Sequence, residues 1–214
     1  MFFRRNLPHY HVPNATYFVT FRLAGSLPME VLQRAQEEYE SERLHLKRSL
    51  RGQTLQEALR QAQETYFARL DALLDKTIYG PRWLNQPQYA RLVMDCIREL
   101  EPAHYHLHAF CIMPNHVHLL LDQQGIPDPP PRRDGKAYTA LNLAIRLLKS
   151  KSGMLCNRLL GQRGAFWQHE SYDHVVRNAR EFQRILEYIV NNPVQAGLVE
   201  DWQAWPYLYI NQDL

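Results

Sequence analysis

Apolar and polar positions alternate through "ATYFVTFRLAG" (15–25). The period of two, rich in aromatic and β-branched residues, predicts a strand closed by Gly25. The period then changes to that of a helix. "EVLQRAQEEYESERLHLKRSL" and "LQEALRQAQETYFARLDALLDK" flank Gly52 and predict a charged helical hairpin, inserted at about 29–76 into a more compact fold. "YGPRWLNQP" (79–87) reads as a connector, and Leu92, Val93, Ile97 and Leu100 mark an amphipathic helix over 88–100 that stops near Pro102. Two strand-like runs, "YHLHAFCIM" (105–113) and "HVHLLLDQQ" (116–124), meet through Pro114-Asn115 and predict a hairpin. A proline-rich stretch at about 125–136 predicts a loop. Residues 138–161 are helical, interrupted, if anywhere, at Gly153, and 172–177 hold a short strand. The last helix starts at Asn178 as N-cap and carries Phe182, Ile185, Leu186 and Ile189 on one face. Its expected end is Asn192, because Pro193 disfavours helical backbone in the residue before it.

The order β-α-β-β-α-β-α predicts an α+β fold, with helices packed on an antiparallel sheet. The natural arrangement is the ferredoxin-like, or RRM-like, split βαβ. A single domain over 1–214, carrying the inserted helical hairpin, is the expected organisation, with no internal repeat.

Composition adds limits. With 45% hydrophobic residues the chain can bury a core, and its net charge of +3 is too small by itself to indicate a polyanionic partner. Cys96, Cys111 and Cys156 are odd in number and far apart; they read as buried thiols in a reducing compartment. The opening "MFFRRNLPHYHVPN" lacks an apolar run of signal-peptide length, and no run spans a membrane, so a cytoplasmic location is expected.

Strand alternation puts His116 and His118 on one face and Val117, Leu119 and Leu121 on the other. Two such imidazoles stand about 7 Å apart along a strand and can converge on one cation. Among ten histidines an HxH pair is weak evidence, and "HYHLH" (104–108) repeats the spacing as a partly exposed strand face, with His106 or His108 a lesser support for a metal shell. Tyr188 and Asn192, four residues apart, share one face of the last helix. Singly, Tyr188 reads as an interfacial core tyrosine and Asn192 as a helix-end residue. A histidine pair, a helical tyrosine and an amide one turn later make a more pointed set.

"FCIMPNHVHLLL", "FWQHESYDHVVR" and "RILEYIVNNPVQAGLV" together resemble the REP-associated tyrosine transposases, a branch of the single-tyrosine HUH transposases. The resemblance covers the opening strand and about residues 86–205, closes with "WQAWPYLYI", and leaves the helical hairpin outside. It implies that His116 and His118 are metal ligands, that Asn192 is the third ligand, and that Tyr188 is the nucleophile. It further implies a divalent ion, Mg²⁺ or Mn²⁺, and cleavage and rejoining of single-stranded DNA through a 5′-phosphotyrosine. The DNA would carry a hairpin with a flanking guide tetranucleotide, the reaction serving transposition of hairpin-forming repeats. A free phenol is ionised at only about one part in a thousand at pH 7, so activation is needed. A metal-bound water, His174 and His169 are candidate bases. Tyr172 is the next candidate nucleophile.

Single-stranded DNA also needs cations. Arg177, Arg180 and Arg184 flank the proposed site; Arg146, Lys149 and Lys151 share a helix; Arg4 and Arg5, with Arg132 and Arg133, form a third cluster. Tyr10, Tyr17, Phe166 and Trp167 are candidates for base stacking, Trp167 equally for core. Two other readings stay open: a catalytically inactive nucleic-acid-binding module of the same fold, acting as a repressor or RNA binder, and a metal-dependent hydrolase in which water attacks. Monomer and homodimer are equally compatible with the sequence.

Overall fold

The computed structural model describes residues 12–76, 79–130 and 138–212. Arg4, Arg5, Tyr10, Arg132 and Arg133, with residues 131–136 of the predicted loop, lie outside the described residues. The elements are β1 (Thr16–Arg22), α1 (Met29–Ser49), α2 (Gly52–Asp75), α3 (Pro87–Glu99), β2 (His106–Ile112), β3 (His116–Asp122), α4 (Ala140–Leu160), β4 (Tyr172–Val176), α5 (Ala179–Gln195) and β5 (Leu208–Ile210). They fall into two compact units, one of residues 25–81 and one of 1–24 with 82–214.

The larger unit holds an antiparallel sheet in the order β4-β1-β3-β2-β5. Its first four positions are the ferredoxin-like arrangement expected from the element order. β5 was not anticipated: three residues are too few to display an alternation. It adds to the free edge of β2, where Tyr207 O accepts from Ile112 N at 2.9 Å and Asn211 N donates to His108 O at 2.8 Å.

Register separates the faces. Thr20 pairs with His118, Arg22 with His116, and Cys111 with His118 from the other side. The alternate residues Tyr17, Val19, Phe21, Leu107, Phe110, Ile112, Val117, Leu119 and Leu121 therefore face the other way. They form one cluster with Val93, Cys96 and Ile97 of α3 and Ala144, Ile145 and Leu148 of α4. α4 is unbroken at Gly153. That glycine is a packing device: a Cβ would meet Trp167 Cδ1 at 3.2 Å. Trp167 donates its indole N–H to Ser152 Oγ at 2.9 Å and meets the Phe21 ring edge-on at 4.7 Å. Trp167 and Phe166 are core residues, as is Tyr17, whose hydroxyl donates to Val12 O at 2.7 Å; burial takes all three out of the base-stacking set. The three cysteines are buried free thiols, and burial pushes Cys156 up to about 12.

α5 lies against β2 and β3. Asn178 Oδ1, at the N-cap, accepts from Glu181 N at 2.9 Å, and Glu181 Oε2 accepts from Arg177 N, one residue before the cap, at 2.9 Å. The helix runs three residues past its expected end, through Pro193. Pro193 removes one donor, but Ile189, Asn192 and Pro193 are buried, and packing overrides the local preference. Gly197 ends the helix: φ is +67°, Gly197 N donates to Val194 O and Leu198 N to Pro193 O, each at 2.9 Å, a Schellman motif.

In the smaller unit α1 and α2 form a hairpin in which Tyr39 and Tyr66 stack with centroids 4.8 Å apart and Arg69 pairs with Glu38. Gly80 has φ +64° and faces the Gly25 carbonyl so closely that no side chain fits. The unit thus begins and ends at one place.

Candidate metal and tyrosine site

β3 brings the predicted histidine pair together. His116 and His118 are fully buried, with centroids 4.6 Å apart and Nε2 atoms 3.0 Å apart. Their outer nitrogens are held from two different directions. His116 Nδ1 lies 2.6 Å from Asn115 Oδ1, and His118 Nδ1 lies 2.7 Å from Thr20 Oγ1. Burial draws His116 down to about 3; burial and then the neighbouring His116 charge hold His118 well below the usual histidine value. Both rings are therefore neutral at pH 7, the form in which imidazole binds a metal.

The spacing suits an ion. Adjacent ligands around an octahedral ion with bonds of about 2.1 Å stand about 3.0 Å apart, which is the separation of the two Nε2 atoms.

α5 supplies the phenol. Tyr188 is half-buried, its ring 5.4 Å from that of His118 at 70°. Phe18 organises this corner: it stacks on His118 (5.6 Å, 22°), meets Tyr188 edge-on (6.0 Å, 89°) and Tyr172 at 6.3 Å. Tyr172 is buried. Asn192, one turn beyond Tyr188, is completely buried.

The other histidines are placed elsewhere. His108 Nε2 pairs with Asp122 Oδ2 at 2.9 Å, and His106 Nε2 lies 3.1 Å from Gln124 O. Both contacts sit at the end of β3 away from His116. His174 Nε2 is 3.0 Å from Glu181 Oε1. Burial raises the Glu181 carboxyl, but the Arg177 amide and His174 outweigh it and leave the group below the usual carboxylate range. His169 is exposed, in the loop before β4.

The cations divide between the faces. Arg177, Arg180 and Arg184 are exposed around the start of α5, Arg184 with a 3.4 Å contact to Glu181. Arg146, Lys149 and Lys151 are on α4, across the sheet from the histidines. Lys149 Nζ donates to Gln168 O (2.7 Å), His169 O (2.9 Å) and Ser171 Oγ (3.0 Å), tying down the loop that leads into β4. Lys151 pairs with Glu99, and Arg146 lies over the Tyr138 ring at 5.4 Å.

Sequence reasoning missed Thr20, Phe18, Asn115 and Glu181. Asn115 adjoins the histidines, and Asn178-x-x-Glu181 has the spacing of a helix N-terminus signal. Thr20 and Phe18 reach the site only through strand register, which no local pattern displays.

No protein-family model matches the chain. A protein of Haemophilus influenzae named as a candidate REP-associated tyrosine transposase is 31% identical over 106 residues, 50% of this chain and 59% of that protein. The REP-associated tyrosine transposase of Escherichia coli K12 is 31% identical over 48 residues, 22% of this chain and 29% of its own length. The aligned region thus spans less than two thirds of either relative. A solved structure of a REP-associated tyrosine transposase bound to a REP hairpin superposes with a TM-score of 0.50 and 17% identity, covering 94% of this chain and 80% of that one. At that identity the superposition speaks for the fold. The resemblance read from the motifs is therefore present in both sequence and fold. Among the described residues no helix is long and apolar enough to cross a membrane.

Proposed function

We propose that this chain, similar in sequence and fold to REP-associated tyrosine transposases, cleaves and rejoins hairpin-forming single-stranded DNA through a covalent bond to Tyr188. The observation behind this reading is the meeting of two facing, neutral imidazoles with a half-buried phenol ring carried by the helix laid over them. In this reading His116, His118 and Asn192 hold the divalent ion, Mg²⁺ or Mn²⁺. When bound, the ion would polarise a non-bridging oxygen of the scissile phosphate. Tyr188 Oη forms the new bond to phosphorus as the P–O3′ bond breaks; the phenol gives up its proton and the departing O3′ takes one up, leaving a 5′-phosphotyrosine and a free 3′-hydroxyl. Rejoining reverses the step: a 3′-hydroxyl attacks phosphorus and the tyrosine oxygen departs, so no bond energy is lost to water.

Phe18 and the α5 backbone fix where the phenol ring sits. In this reading the exposed Arg177, Arg180 and Arg184 neutralise phosphates leading to it, and Arg4 and Arg5 extend the proposed cationic set. Lys149 and Lys151 join that surface only by leaving their present partners; Arg146 is exposed across the sheet.

The test is incubation with a hairpin oligonucleotide carrying a 5′ single-stranded extension, with Mn²⁺ or chelator. A covalent protein–DNA adduct forms with Mn²⁺, and neither chelator nor Tyr188→Phe supports it. An adduct that survives Tyr188→Phe moves the role to Tyr172. Hairpin binding with no adduct under any condition leaves the inactive binding module, and a free 5′-phosphate without adduct leaves the hydrolase.

A further inference from the structure

We infer that Thr20 and Asn115 are positioning residues that decide which nitrogens of the histidine pair present lone pairs to each other's side. The inference rests on the reading of His116 and His118 as ion ligands given above, and deepens it.

Asn115 Oδ1 can only accept a hydrogen bond, so its 2.6 Å contact places a proton on His116 Nδ1 and leaves the Nε2 lone pair facing inward. The 3.0 Å contact between the two Nε2 atoms needs one proton between them. With His116 already committed, that proton belongs to His118 Nε2, and His118 Nδ1 then accepts from the Thr20 hydroxyl. In this arrangement His116 presents a lone pair at Nε2, and His118 presents a proton there. Seating an ion requires the second Nε2 lone pair as well. The His118 proton must then sit on Nδ1. Only a group that both donates and accepts can follow that exchange, and a hydroxyl does so by rotating about its C–O bond. Both rings stay neutral throughout; one proton changes nitrogen on one ring.

Placement supports the division of labour. Thr20 lies directly opposite His118 in the β1–β3 register, and Asn115 is the turn residue immediately before β3. Both side chains are buried, so water does not readily take their place. Asn115 is a fixed acceptor and Thr20 a reversible partner. Outer hydrogen bonds of this kind set ligand orientation and typically change metal affinity by about 10- to 100-fold.

The experiment uses the full chain labelled with ¹⁵N-histidine, read by imidazole ¹⁵N shifts, together with Mn²⁺ titration. Without ion, His116 shows the Nδ1–H tautomer and His118 the Nε2–H tautomer; saturating Mg²⁺ moves His118 to Nδ1–H. Thr20→Val weakens Mn²⁺ binding by about 10-fold or more and removes the tautomer change, while Thr20→Ser restores both. Asn115→Asp, which still accepts from Nδ1–H, keeps the His116 tautomer, and Asn115→Leu loses it. The inference is overturned if Thr20→Val, folded by circular dichroism, binds Mn²⁺ like the parent with unchanged ¹⁵N shifts. If the unsubstituted protein takes up no Mn²⁺, it is the ligand reading of the histidines that has failed.

Discussion

On one face of the sheet Tyr17, Val19, Phe21, Val117, Leu119 and Leu121 meet α3 and α4 in one apolar cluster; on the other Phe18, Thr20, His116 and His118 lie beneath α5. The residues alternate along the same two strands, and burial does not tell them apart: Leu119 and His118 are both at 0% exposure. What differs is the chemistry enclosed. Apolar side chains gain about 1.5–3 kcal/mol each by burial. A buried imidazole gains nothing comparable and must be given hydrogen-bond partners. The structure provides them from a strand, a turn and the opposite ring. A face selected for stability alone would have carried leucines.

The sharpest way to break this contrast is one substitution on each side. Tyr188→Phe removes a single oxygen from a half-buried ring whose packing on Phe18 and His118 survives. Adduct formation falls by about a thousandfold or more, with little change in melting temperature. Leu119→Ala does the reverse. It opens a cavity in the α3/α4 core and costs about 2–5 kcal/mol of stability, while adduct yield per folded molecule stays near that of the parent. Thermal melts beside gel-shifted adduct yields separate the two outcomes. A Tyr188→Phe protein that melts as early as Leu119→Ala would make the phenol structural.

How much of this contrast was readable beforehand follows the same division. The strands and helices of the larger unit carry strong periodic patterns, so their order and the ferredoxin-like arrangement were legible. The exceptions have local causes. β5 is too short for a period to show; α5 passes Pro193 because packing and the Gly197 terminator outweigh a steric preference; and α4 runs through Gly153 because Trp167 needs the space. At the site, HxH and the Tyr188–Asn192 spacing were visible because they are local. Thr20 lies 98 residues from His118 and meets it only through pairing register. Trp167 and Tyr17 looked fit for base stacking because an aromatic residue reads alike in a core and on a surface.

Acid gives a smaller test of the polar face. Above about pH 6.5 the histidines are neutral in both folded and unfolded chains. Below it the unfolded chain takes up protons that the buried rings refuse, His116 until about 3 and His118 in the same direction. Stability therefore falls with decreasing pH, by roughly 1 kcal/mol per pH unit for each ring. Urea melts between pH 7 and 5 measure this slope. In His116→Gln it shrinks. The Leu119→Ala protein, although weaker at every pH, keeps the parent slope. Equal slopes in parent and His116→Gln would mean that the ring is protonated in the fold.

The smallest effects concern charge, where the faces differ in what their cations already touch. Arg180 is exposed at the start of α5, on the histidine side. Lys151, across the sheet, is paired with Glu99, whose carboxylate raises the affinity of the ammonium for its proton. A phosphate must compete with that carboxylate, whereas at Arg180 it displaces mainly water and counterions. Arg180→Gln should lower hairpin affinity severalfold and reduce the slope of log K against log salt by about one unit. Lys151→Gln should leave slope and affinity nearly unchanged, since it removes a cation already matched by an anion. Fluorescence anisotropy across a salt series reads both variants, in chelator so that no cleavage intervenes. Should the two lose the same slope, DNA reaches both faces and the sheet no longer divides a binding side from a packing side.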